Sequence, residues 1–100
     1  MSHNIRRLVY DQQAIATLIH LKQQGKTSHL ERIRARCLAL QVDAESQADV
    51  QTIHQDPPVY TVRISGMELT GLEPNEGYFV LFTLTDILVT ILALEQENPF

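Results

Sequence analysis

The chain has no tryptophan, one cysteine, four glycines and four prolines in 100 residues, and beyond Arg36 its only basic residue is Arg63. So little glycine and proline, without a repeat, excludes collagen-like and low-complexity chains. A lone Cys37 cannot close an intramolecular disulfide, and inside an apolar helical pattern it reads as a small buried hydrophobe of a reducing, cytoplasmic protein. Long apolar runs are missing too. The most hydrophobic stretch, Tyr78 to Leu94, is broken by Thr83, Thr85, Asp86 and Thr90, and a carboxylate near its middle argues against a membrane span. The opening MSHNIRRLVYDQQ has no apolar core of the length an export signal needs. His3, His20, His29 and His54 are scattered, with no Cys or carboxylate at ligand spacing, so no metal site is expected and no cofactor is implied. GKTSHL lacks the earlier glycine and the strand that would make it a phosphate loop.

What is present suits one packed domain over residues 1–100, with 44% hydrophobic and 20% charged residues. Charge is unevenly placed. Met1 to Arg36 holds seven basic residues against Asp11 and Glu31, a balance of +5, whereas Cys37 to Phe100 holds Arg63 against ten acids, a balance of −9. A net charge of −4 excludes a generally basic nucleic-acid surface but leaves room for a local basic patch.

Ile5 to Tyr10 reads as a short strand near a sheet edge. Asp11 stands as an N-cap, Ala14, Ile15, Leu18, Ile19 and Leu21 recur at helical spacing, and Gly25 is a stop, which predicts a helix from Gln12 to about Gln24. Ser28 followed by Glu31 has the form of a capping box and predicts a second helix starting there, with Leu30, Ile33, Cys37 and Leu38 on its apolar sector. The two helices form a hairpin that needs another layer to cover it. Asp43 to Pro58 is polar and acidic and is expected to be a loop with one helical turn. VYTVRIS alternates as a half-buried strand with Tyr60, Val62 and Ile64 inward; a long connection with a short extended piece at 67–69 follows, then YFVLFTL as a central strand. ILVTILALE is read as a strand, because Thr85-Asp86 suits a tight turn and the segment is β-branched; a helix capped by Asp86 is the alternative. The order β-α-α-β-β-β gives an α+β fold, an N-terminal strand and helical hairpin packed on a mostly antiparallel sheet.

One constellation suggests chemistry. Arg32, Arg34 and Arg36 lie on the second helix, and Arg63 lies on the non-core face of its strand beside Thr61 and Ser65. Guanidinium groups grip phosphates bidentately, so arginines converging on an open sheet face could hold an RNA backbone and steady a cleaved phosphodiester. In the competing reading, Arg63 pairs with a downstream acid and the helix arginines are simply solvated.

The order strand RRLVY, two helices, then strands VYTVRISG, GYFVLFTL and ILVTILALE resembles the RelE/ParE superfamily of bacterial toxin–antitoxin systems, where a strand carrying tyrosine, arginine and glycine precedes an aromatic strand and a closing strand. The resemblance implies a RelE-like domain in the bacterial cytoplasm, a cognate antitoxin protein as partner and, in the ribonuclease members, metal-independent cleavage of mRNA on the ribosome; other members poison DNA gyrase. By resemblance Arg63 takes the place of the family's catalytic strand arginine and Phe100 falls in its C-terminal aromatic region, so the RNA-binding set becomes Arg32, Arg36, Thr61, Ser65 and Phe100. The chain ends in EQENPF where the family has a basic element, and Phe100 can stack a base but cannot move a proton. The implied protein is therefore an atypical ribonuclease toxin or a catalytically degenerate relative. The alternative is a non-enzymatic interaction module, a homodimer or adaptor using apolar strands and the acidic loop.

Overall fold

A computed structural model describes residues 5–47, 50–65 and 77–96. The order of elements is β1 (Arg7–Tyr10), α1 (Gln12–Gln23), α2 (Thr27–Ala39), a tight helical turn at Ala44–Ser46, then β2 (Val50–Gln55), β3 (Pro58–Ile64), β4 (Tyr78–Leu84) and β5 (Leu88–Gln96). The strands form one sheet in the order β1-β5-β4-β3-β2; β1 runs parallel to β5 and every other pairing is antiparallel. The expected α+β class with a mostly antiparallel sheet is what the chain adopts.

Local chemistry accounts for most boundaries. The Asp11 carboxylate accepts from the Gln12 amide at 2.9 Å and starts α1. Gly25, at φ 74°, ends it: the Lys26 amide donates to the Leu21 carbonyl at 3.0 Å and the Gly25 amide to the Lys22 carbonyl at 3.1 Å, the paired bonds of a left-handed helix stop. That geometry also sets where α2 starts, and it corrects the capping-box expectation. Lys26 is the residue before the first turn, no side chain caps it, and its carbonyl already accepts from Leu30, so Ser28 and Glu31 sit two residues too far inside the helix to cap each other.

Asp43 to Pro58 is the other correction. The helical turn is there, but Val50–Gln55 is a strand paired with β3, from Val50 opposite Val62 to Gln55 opposite Pro58. Its hydrophobic signal is faint because the strand lies at the sheet's end, where five of its six residues are exposed and the ladder is held through the backbone. The strand reading of the last segment holds: Thr85 Oγ1 accepts from the Leu88 amide at 2.9 Å, closing the turn between β4 and β5. The extended piece expected at 67–69 lies outside the described residues.

Both helices cover one sheet face. Ala14, Leu21, Ile33, Cys37 and Leu40 meet Val62, Ile64, Val80, Phe82, Val89 and Ile91, all essentially without solvent exposure. Tyr60 stacks on Phe82 with ring centroids 5.5 Å apart, extending the core toward β2. Arg6 fastens the first strand. Its guanidinium makes two 2.9 Å contacts to Glu45 and donates through Nε to the Thr85 carbonyl at 2.7 Å, while its backbone exchanges bonds with Gln41. Among the described residues, no helix is long and apolar enough to cross a membrane.

Candidate functional site

The sheet separates the residues expected to act together. Inward-facing Val62 and Ile64 belong to the core, so the alternate positions Thr61 and Arg63 lie on the face away from the helices, opposite Leu81 and Phe79 of β4. Ser65 follows directly after β3. Arg32 and Arg36 are on α2, which belongs to the layer across the sheet; Arg32 is exposed and Arg36 half-buried. The arginines of α2 therefore do not converge with Arg63 within one molecule. Arg63 is exposed, though neither it, Arg36 nor Ser65 is free of interactions. The Thr61 hydroxyl is buried with no hydrogen-bond partner among the described residues. Phe100 lies outside them. No group of three or more His, Cys, Asp or Glu side chains gathers among the described residues.

A different site emerges on the helical side. An open cleft of about 280 Å³ is lined by Tyr10, Leu18, Ile19, Lys22, Leu30 and Arg34, so β1 supplies its floor and the two helices its walls. Leu18, Ile19 and Lys22 fall on one face of α1, and Ile15 continues that face by one turn; Leu30 and Arg34 are one turn apart on α2. Ile15 and Ile19 are 44% and 51% exposed, a loss of burial at two neighbouring β-branched residues that the core does not explain. The cleft is thus apolar within and cationic at two points.

The floor is a neutral polar contact. Burial, aided by the adjoining Cys37 thiol, pushes the Tyr10 phenol up to about 12, against a smaller opposing pull from Arg34. Burial likewise pushes Cys37 up to about 11, so the thiol stays protonated and unreactive at neutral pH, in line with its reading as a small core residue. Tyr10 can then present a hydroxyl to a ligand while Lys22 and Arg34 offer charge.

One signal for this cleft was available in the sequence. Ala14, Ile15, Leu18, Ile19 and Leu21 span a wider sector than one sheet-facing stripe requires, and the structure buries Ala14 and Leu21 while leaving Ile15 and Ile19 outside. What the pattern could not supply is which apolar residues the sheet would leave uncovered. Comparison with protein-family models, with curated proteins and with solved structures finds no match to this chain.

Proposed function

We propose that the chain is a protein-interaction module that holds an acidic amphipathic helix of a partner protein in the cleft between α1 and α2. The observation that carries this reading is one cleft lined by Leu18, exposed Ile19 and Leu30 together with Lys22 and Arg34, with exposed Ile15 one turn further along α1. A helix laid in such a groove buries apolar residues at i, i+3, i+4 and i+7 and sets flanking carboxylates against the two cations. Ile15 to Lys22 spans roughly two helical turns, which matches that repeat. Charge favours the same partner, because the excess of basic residues lies entirely in the segment that builds the cleft, up to Arg36. The RelE/ParE resemblance offers a setting: the helix would come from a cognate antitoxin in the bacterial cytoplasm.

The test is fluorescence anisotropy with a labelled, acidic amphipathic helical peptide and a basic counterpart of the same apolar pattern. Binding of the acidic peptide should weaken at least tenfold in Ile19→Asp and in Arg34→Glu, both at exposed positions that leave the circular dichroism spectrum unchanged. Equal binding of the two peptides, or no effect of either substitution, removes the cleft from the reading.

A second reading, the metal-independent endoribonuclease toxin, draws support from the exposed Arg63 on the uncovered sheet face. Its test is induced expression with and without the neighbouring gene, scoring growth and mRNA integrity. Arrest that Arg63→Ala relieves would support this second reading; arrest unchanged by Arg63→Ala would take Arg63 out of it.

A further inference from the structure

We infer that the chain binds a small hydroxylated carboxylic acid in a second cleft, on the opposite flank of α1 from the first. This cleft, of about 250 Å³, lies between α1 and the end of the sheet where β4 starts and β5 finishes. Thr17, His20, Leu21 and Gln24 fall in one sector of α1, whereas Leu18, Ile19 and Lys22 of the first cleft fall in the other. Its base is apolar, made by buried Leu21, Leu94 and Tyr78. Its rim is polar, made by His20, Gln24, Lys26 and Gln96, all more open to solvent. A volume just under the usual range of ligand clefts, with an apolar base and a few convergent polar groups, fits a small metabolite rather than a peptide.

The sign of the ligand's charge follows from what surrounds the cleft. β4 and β5 belong to the strongly acidic part of the chain, yet among the described residues that line the cleft there is one ammonium, that of Lys26, and no carboxylate. The one acid of β5, Glu95, pairs with Phe79 on the face away from the helices. The C-terminal end of α1, ordinarily the negative end of a helix, is quenched here, because the carbonyls of His20, Leu21 and Lys22 already accept from the amides of Gln24, Lys26 and Gly25. A single fixed cation matches one carboxylate, with the His20 imidazole and the side-chain amides of Gln24 and Gln96 as hydrogen-bond partners. The Thr17 hydroxyl lies 3.2 Å from the Gln13 carbonyl and 3.3 Å from that of Leu94, so its proton is held and its oxygen is left to accept from a ligand hydroxyl. That acceptor favours a hydroxy acid over the plain acid.

Amide spectra of the full chain, recorded during titration with 3-hydroxybutyrate, butyrate, butylammonium and inorganic phosphate, test this. With 3-hydroxybutyrate, saturable shifts are expected at residues 17–26 and 94–96, with a dissociation constant below about 10 mM. Butyrate should bind at least threefold more weakly. Lys26→Gln, which keeps the backbone bonds of that position, should weaken binding at least tenfold, and Lys26→Arg should restore most of it. Arg7→Gln, which removes the same charge beside the start of β5, should leave binding unchanged. No saturation by about 10 mM, equal or tighter binding of butyrate, butylammonium or phosphate, or indifference to Lys26→Gln overturns the inference. None of these outcomes bears on helix binding in the first cleft, which is measured separately on the peptide.

Discussion

Replacing Arg6 by alanine removes three contacts at once: the two 2.9 Å contacts to Glu45 and the 2.7 Å bond from Nε to the Thr85 carbonyl. These join the start of β1 to the helical turn after α2 and to the β4–β5 turn, and they hold in place the strand that puts Tyr10 under the cleft. The side chain of Glu45 is 49% exposed and that of Arg6 is 15% exposed, so solvent screens the ion pair and its coupling should be only about 0.5–1 kcal/mol. The bond to Thr85 adds a charge-assisted contribution of similar size, giving about 1–2 kcal/mol for Arg6→Ala in all. In a domain of this length, each 1 kcal/mol lowers Tm by about 4–8 °C. Urea unfolding of Arg6→Ala, Glu45→Ala and the double variant separates the two parts: the cycle gives the ion pair, and what Arg6→Ala loses beyond it is the Thr85 bond. Arg6 holds the Glu45 carboxyl below its usual range. A carboxyl with a lowered folded-state value stabilises above its unfolded value, and that stability goes as pH falls through the folded one. The advantage of the unmodified chain over Glu45→Gln should therefore fade on acidification below about pH 4. No coupling in the cycle, or an advantage that survives strong acid, would refute Arg6 as the fastener of β1.

Much of the fold is legible where one local rule decides the outcome. Asp11 and Gly25 bound α1 through backbone bonds that depend on few residues, and the strict alternation of VYTVRIS announces which face of β3 is buried. YFVLFTL, apolar on both faces, declares a strand with neighbours on either side. Legibility fails where tertiary context decides. β2 contributes almost nothing to the core, so it leaves no hydrophobic period to read. The start of α2 depends on the bonds that close α1, and those fix Lys26 at the boundary before Ser28 can act. The candidate site fared worse than the fold. Periodicity gives the inward face of β3 and the outward face of α2, but it is the side of the sheet on which the helices settle that separates Arg32 and Arg36 from Arg63. The cleft at Tyr10, Ile19 and Arg34 draws on three separate elements, and no spacing in the chain links them.

Phe82 is wholly buried at the centre of the sheet and stacked on Tyr60, so Phe82→Ala should cost about 3–5 kcal/mol in urea unfolding; a loss under about 1 kcal/mol would show that the core lies elsewhere. Gly25 has open space around it but a φ of 74°, so Gly25→Ala should destabilise by about 1 kcal/mol through backbone strain alone, and a stabilised variant would contradict the left-handed stop. In ultraviolet titration Tyr10 should ionise well above the usual tyrosine range, near its raised value of about 12. Because the folded value lies above the unfolded one, the stability it confers is complete below about pH 10 and is lost as pH rises toward 12, a decline that Tyr10→Phe should reduce.

The cleft is tested most directly by following backbone amide resonances of the full chain while an acidic amphipathic helical peptide is added. Shifts should concentrate at Ile15, Ile19, Lys22, Leu30 and Arg34 and reach Tyr10 beneath them. Shifts concentrated instead at Thr61 and Arg63 across the sheet, or none at saturating peptide, would contradict a helix-binding function for this cleft.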